Sequence, residues 1–149
     1  MFTSLGKRRD ILFKRIVVAA DGSDPSVRAA RYAVGLAEKF SSMIDIVHVV
    51  DLEKSRADVL YFGNKHELEK MRIDRLYEAE KIISDAGIDY EFHILEGEPG
   101  PTIINFTHEH DVDCIIMGKR GLNKFQTFLL GSVSDQVVKN ANCPVLIIK

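Results

Sequence analysis

The sequence predicts an α/β fold built on an open, doubly wound sheet of five parallel strands in a three-layer α/β/α arrangement. Short segments rich in Val and Ile alternate with segments of helical spacing along the whole chain. The first, fourth and fifth of the short segments are apolar throughout, which is typical of parallel strands covered on both faces. Because crossovers between parallel strands are right-handed, this alternation favours the strand order 3-2-1-4-5.

Five segments are predicted as strands because each is short, is rich in β-branched residues and borders turn-forming residues. In chain order they are Arg15–Ala20, Met43–Val50, Tyr90–Leu95, Cys114–Met117 and Pro144–Ile148.

Four helices are predicted between the strands. The first begins with Asp24 as N-cap and Pro25 in its first turn, and the second ends at the C-cap residue Gly87. The third begins at Pro101, and the fourth begins near Gly131 or Ser132. The second helix, from about residue 66 to 86, is expected to bury the apolar side chains Leu68, Met71, Leu76, Ala79 and Ile83.

Length and composition fit one domain. A chain of 149 residues has room for a single domain, which we assign to residues 14–149, with residues 1–13 as an N-terminal arm. Residues 51–65 form a connection of a length that is typical of lids and mobile loops.

Charge and hydropathy exclude several functional classes. Twenty Lys and Arg residues against 22 Asp and Glu residues argue against a nucleic-acid partner, which requires a basic surplus. The longest apolar runs are far shorter than the ~20 residues that span a bilayer, so no membrane association is expected. Two cysteines 29 positions apart without metal-ligand spacing are expected to be buried free thiols, which is consistent with a cytoplasmic protein.

Candidate site residues follow the first and fourth strands, where an open sheet of this order has its crevice. Gly118 and Gly121 lack a Cβ, so their backbone is able to take positive φ and to approach a ligand. Gly131 and Ser132 open the last helix, whose N-terminal amides and dipole favour an anion. This pattern indicates a polyphosphate site, with positive charge at its rim; the rim residues are Lys119 and Arg120.

The same residues have purely structural alternatives. Glycines after strands also form turns, and Ser132 with Asp135 has the spacing of a capping box. Asp21, at the tip of the first strand, fits either a ribose or divalent-cation ligand or an Asx-turn residue. The chain contains neither G-x-x-x-x-G-K-[ST] nor G-x-G-x-x-G, which argues against a P-loop and against a dinucleotide site.

Gly118 and Gly121 are followed, after nine further residues, by Gly131-Ser132. This spacing resembles the ATP-binding G-x-x-G-x9-G-[ST] motif of the universal stress protein family. The resemblance also covers the first two strands, Gly97-Glu98-Pro99 and the ending Ala141–Ile148. It implies the adenine nucleotide alpha hydrolase-like fold of that family.

The resemblance also implies a ligand and roles for residues. ATP, alone or with Mg²⁺ or Mn²⁺, is the implied cofactor, and Asp21 is the implied metal ligand. Twelve residues would together bind the base, the ribose and the phosphates. In chain order, they are Ala19, Ala20, Asp21, Val49, Met117, Gly118, Lys119, Arg120, Gly121, Gly131, Ser132 and Val133. The Ala19-Ala20 pair stands where ATP-binding members often have Pro or Thr before the aspartate.

The implied function is that of an ATP-binding regulatory module of the stress response. It would form a homodimer through Pro144–Ile148, an apolar edge strand that favours pairing with its copy. It would also act on a protein partner that the sequence does not identify. The alternative is a slow ATP hydrolase or nucleotidyl transferase on the same fold, for which Asp21 is the candidate general base.

Overall fold

The computed structural model describes residues 12–53, 65–119 and 131–149. The described ranges leave out residues 1–11 of the predicted arm, residues 54–64 of the long connection and residues 120–130. No helix in the described ranges is long and apolar enough to cross a membrane.

Five parallel strands form one sheet in the order β3-β2-β1-β4-β5, as predicted. In chain order, the strands are β1 (Arg15–Ala19), β2 (Met43–Val50), β3 (Tyr90–Glu96), β4 (Cys114–Gly118) and β5 (Val145–Ile148). Ala19, the last residue of β1, pairs with Val47 of β2 and with Met117 of β4, and β2 continues to Val50.

Four helices connect the strands: α1 (Asp24–Phe40), α2 (Lys65–Asp85), α3 (Pro99–Glu109) and α4 (Ser132–Asn140). The prediction of Asp24 as the N-cap of α1 is wrong. Ser23 is the N-cap, and its Oγ accepts the Ser26 N–H at 3.3 Å, because a short hydroxyl side chain in extended backbone reaches that amide. α3 begins two residues before the predicted start at Pro101.

Alternate residues of the strands face two apolar cores, one on each face of the sheet. The core beneath α1 and α2 contains Ile16, Val18, Ala30, Ala33, Ile44, Ile46, Leu76, Ala79 and Ile83. The core beneath α3 and α4 contains Val17, Ala19, Val47, Ile103, Phe106, Ile115 and Val137. The three layers therefore match the predicted architecture.

Met71 does not join the buried stripe predicted for α2, since 53% of its surface is exposed. It precedes Leu76 by five residues, which places it about 140° around the helix from the buried side at 3.6 residues per turn. Leu76, Ala79 and Ile83 carry the stripe.

Candidate nucleotide site

A cavity of about 370 Å³ opens at the carboxyl ends of β1, β2 and β4. Its volume is within the range of small-molecule sites in proteins. The structure brings nine of the predicted site residues together in its wall: Ala19, Ala20, Asp21, Val49, Met117, Gly118, Gly131, Ser132 and Val133. Of the other three, Lys119 does not line the cavity, and its N–H continues the β4–β5 ladder by donating to Ile148 O at 2.7 Å. Arg120 and Gly121 lie outside the described residues.

The turn after β1 carries Asp21 into the cavity wall. The Ala20 N–H donates to Val47 O at 2.9 Å, so pairing with β2 continues one residue past the strand. The Asp21 Oδ1 accepts the Ser23 N–H at 2.9 Å, which is the predicted Asx-turn geometry. Gly22 has φ +75°, a conformation that favours glycine. Asp21 therefore combines a turn-forming bond with a place in the cavity.

Gly118 needs to be glycine for a reason other than the predicted one. It is not among the described residues with positive φ. A Cβ at this position would come within 3.0 Å of the side chain and backbone of Pro25, at the start of α1. The missing side chain thus lets β4 end directly against α1, which closes one side of the cavity.

The first turn of α4 opens into the cavity without a side-chain cap. Gly131 is the N-cap, in extended backbone (φ −61°, ψ 160°), and no side chain among the described residues makes a cap hydrogen bond there. The capping-box alternative for Ser132 and Asp135 is therefore wrong, and the Asp135 carboxylate instead accepts Lys139 Nζ at 2.8 Å. An N-terminus of this kind presents backbone amides and a positive dipole end.

The start of α3 also borders the cavity, through Glu98, Pro99 and Gly100. Its N-cap Glu98 makes no side-chain cap bond. A Cβ at Gly100 would overlap Gln136 of α4, so these two helices approach closely at the cavity wall. The predicted alternation of strands and helices is the sequence signal for this part of the wall. In a parallel sheet, each connecting helix begins near the edge at which the strands end.

The charges around the cavity are acidic. Asp21, Asp51 and Glu98 line it, and no lysine or arginine does so within the described part of the chain. An anionic group bound here would depend on backbone amides, helix dipoles and a cation shared with these carboxylates.

Histidines also lie near the sheet and the end of α3. The His110 ring stacks on Phe106, and its Nδ1–H donates to Phe106 O at 2.9 Å. Asp45, Glu91 and His93 bring ligand-type atoms within 4.8 Å of one another. The Arg15 guanidinium already contacts the Asp45 carboxylate at 2.6 Å, so we interpret this group as an ion-pair network.

The architecture agrees with that of known proteins. A model of the universal stress protein family matches residues 12–149. The chain belongs to the universal stress protein family. Universal stress protein MJ0531 of Methanocaldococcus jannaschii is 32% identical over 152 residues, which cover 100% of this chain and 89% of that protein.

Two solved structures of the family carry adenine nucleotides. A universal stress protein in complex with cAMP is 26% identical, with a TM-score of 0.69 and coverage of 92% of this chain and 97% of the other. The universal stress protein from Archaeoglobus fulgidus in complex with dAMP is 29% identical, with a TM-score of 0.67 and coverage of 93% and 99%.

Proposed function

We propose that this universal stress protein binds an adenine nucleotide, with ATP as the ligand, and acts as a homodimeric regulatory module. The observation that carries the proposal is the uncapped start of α4, which opens into the cavity beside the tips of β1 and β4. A helix N-terminus without a side-chain cap is suited to phosphate oxygens because its amides and dipole act together.

The cavity supplies a surface for each part of the nucleotide. The phosphates bind at Gly131, Ser132 and Val133. Met117 and Gly118 border the ribose, and the apolar Ala19 and Ala20 flank the base, which hydrogen-bonds to the backbone of Val49.

The nucleotide complexes of two relatives support this proposal. One contains cAMP and the other dAMP, so the adenine base is common to both ligands while the phosphate and sugar differ. We expect ATP in this chain to place its adenine beside Ala19 and Ala20 and to use the α4 amides for its phosphates.

A divalent cation fits the acidic wall of the cavity. Mg²⁺ and Mn²⁺ bind carboxylate and phosphate oxygens together, and Asp21 is the carboxylate that the turn after β1 presents to the cavity. We expect ATP to bind more tightly with Mg²⁺ than in EDTA, and Asp21→Asn to reduce that difference.

A charge-reversal pair tests the phosphate site. Gly131→Glu places a carboxylate at the α4 N-cap, where it repels phosphate, and the backbone there accepts a side chain. Gly35→Glu makes the same change on α1, at a position with open space around it. Isothermal titration calorimetry should show ATP affinity reduced about tenfold or more by Gly131→Glu, equivalent to about 1.4 kcal/mol, and unchanged within about twofold by Gly35→Glu.

Failure of the parent protein to bind ATP or AMP would contradict the proposal. Equal losses in the two variants would also contradict it, because they would show that the charge acts at long range rather than at the α4 terminus. GTP serves as the test of base selectivity in the same titration.

Dimer formation is proposed through β5, which is an edge strand of the sheet. Leu146 on β5 is 39% exposed, and pairing of this strand with its copy would cover it. Leu146→Lys should shift the protein to monomers in sedimentation velocity. Ile94→Lys on the opposite edge strand β3, where Ile94 is 66% exposed, is the matched control and should leave the dimer intact. A monomeric parent protein would refute this part of the proposal.

A further inference from the structure

His48 contacts the backbone of the cavity wall from outside the cavity. Its Nδ1 lies 2.8 Å from Ala20 O, and because a carbonyl oxygen only accepts, the ring nitrogen carries the hydrogen. Along β2, Val47 and Val49 line the cavity, while Ile44 and Ile46 face the core beneath α1 and α2. By the alternation of the strand, His48 belongs to the second face, opposite the cavity.

The Ala20 carbonyl lies where regular strand pairing stops. The ladder between β1 and β4 ends with the pair of Ala19 and Met117, and the Ala20 N–H still pairs with β2. Ala20 is only 4% exposed, so its carbonyl needs a donor from the protein. The imidazole of His48 supplies that donor.

We propose that His48 is a positioning residue for the nucleotide, an inference that rests on the proposed function. The peptide between Ala20 and Asp21 is planar and trans, so a bond to the carbonyl also fixes the direction of the Asp21 N–H. Both residues line the cavity. His48 therefore sets how the turn presents the backbone and the carboxylate of Asp21 to the ligand.

The rest of the turn is already restrained on another side. A Cβ at Gly22 would come within 2.7 Å of the Arg72 carbonyl oxygen of α2, so the turn packs directly on that helix. The Asp21 Oδ1 bond to the Ser23 N–H holds the turn internally. The peptide that joins Ala20 to Asp21 is the part that His48 controls.

Two substitutions separate the donor from the bulk of the ring. In His48→Asn, the side-chain Nδ2 takes the place of the imidazole Nδ1, since both are bonded to Cγ, and the donor is kept. His48→Leu fills similar space without a donor. Ile46→Ala, on the same strand and face, is the control for general destabilisation of the core.

The first measurement uses ligand-free protein and records backbone amide NMR shifts and hydrogen exchange at Asp21 and Ser23. His48→Leu should shift these amides and speed their exchange relative to the parent protein, and His48→Asn should restore them. Ile46→Ala should leave the relative protection of the turn unchanged. A turn that is unaffected by His48→Leu, or not restored by His48→Asn, would overturn the inference.

The second measurement is the affinity for ATP and for AMP in the same variants. We expect about a tenfold loss of affinity in His48→Leu and recovery to within about threefold in His48→Asn. A tenfold loss is the effect of about one lost hydrogen bond. Equal affinity in parent and His48→Leu would overturn the inference. Absence of binding in the parent would instead refute the proposed function, and the ligand-free amide data would still decide whether His48 sets the turn.

Discussion

The two ends of the sheet use polar residues in opposite ways. Near the amino ends of the strands, the buried Asp45 carboxylate accepts Arg15 Nε at 2.6 Å and His93 Nε2 at 2.8 Å. Asp113 accepts the Arg15 N–H at 3.0 Å in the same region. At the carboxyl ends, the turn after β1 and the starts of α3 and α4 instead surround a cavity.

Under the proposed function, this difference separates residues that stabilise the fold from residues that bind the nucleotide. Polar groups at the amino end satisfy one another, and the hydrogen bond to Asp45 raises the pKa of Arg15, which keeps the guanidinium charged. The cavity end leaves two helix starts without side-chain caps. Substitutions at the first end should therefore lower the free energy of unfolding, and those at the second should change nucleotide affinity.

The largest effect on stability is expected for Asp45→Ala. Asp45 is 0% exposed, and its removal leaves Arg15 and His93 without their shared partner. Loss of one member of a buried ion pair costs about 3 kcal/mol of unfolding free energy, which urea denaturation would measure. Nucleotide affinity measured well below the transition should stay within about twofold of the parent. A loss of affinity as large as that of Gly131→Glu would contradict the separation of the two ends.

Gly22→Ala is expected to have the next largest effect and to affect both properties. Gly22 and Gly87 share a left-handed backbone, with φ of +75° and +71°, but only Gly22 packs against another element. Gly87→Ala should cost about 1 kcal/mol, the ordinary penalty for a Cβ in that conformation. Gly22→Ala should cost about 2 kcal/mol or more and should weaken ATP binding, because the turn has to move away from Arg72. Equal effects of the two substitutions would show that the contact with Arg72 does not matter.

A smaller, pH-dependent effect is expected at the amino end of β4. Burial raises the pKa of Cys114 to about 11. Above about pH 9 the unfolded chain loses this thiol proton while the folded protein keeps it, so unfolding is favoured as the pH rises from about 9 to about 11. Below that range the thiol is protonated in both states and has no such effect.

Thermal melts of the parent and of Cys114→Ala between pH 7 and pH 11 would measure this effect. The melting temperature of the variant should fall less steeply above about pH 9. Parallel curves for the two proteins would show that the buried thiol does not contribute to the alkaline loss of stability.

The smallest effect is expected for Lys139→Ala on α4. Lys139 and Asp135 form an exposed ion pair four residues apart, with Nζ and Oδ2 separated by 2.8 Å. Its loss should cost about 0.3–0.5 kcal/mol in urea denaturation at low salt, and less at high salt. ATP affinity should not change, because neither residue lines the cavity. A change in ATP affinity would show that residues of α4 outside the cavity wall also affect nucleotide binding.

The sequence predicts the strand order and nine of the 19 residues that line the cavity. Apolar continuity and glycine spacing are local signals, and the family resemblance implies the remaining predicted residues. The sequence does not predict that Gly118 packs on Pro25 or that Gly100 meets Gln136, since each contact joins distant segments and depends on how helices settle on the sheet. The sequence also does not predict the network of Arg15, Asp45 and His93. Three separate strands have to pair in register before these side chains meet.

Hydrogen exchange with and without ATP tests the central claim most directly, namely that nucleotide binds at the carboxyl end of the sheet alone. Added ATP should slow amide exchange at Ala20–Ser23 and at residues 132–134, and should leave the relative protection around Asp45 and His93 unchanged. Protection confined to the Asp45 region, or no protection at the start of α4, would contradict the account.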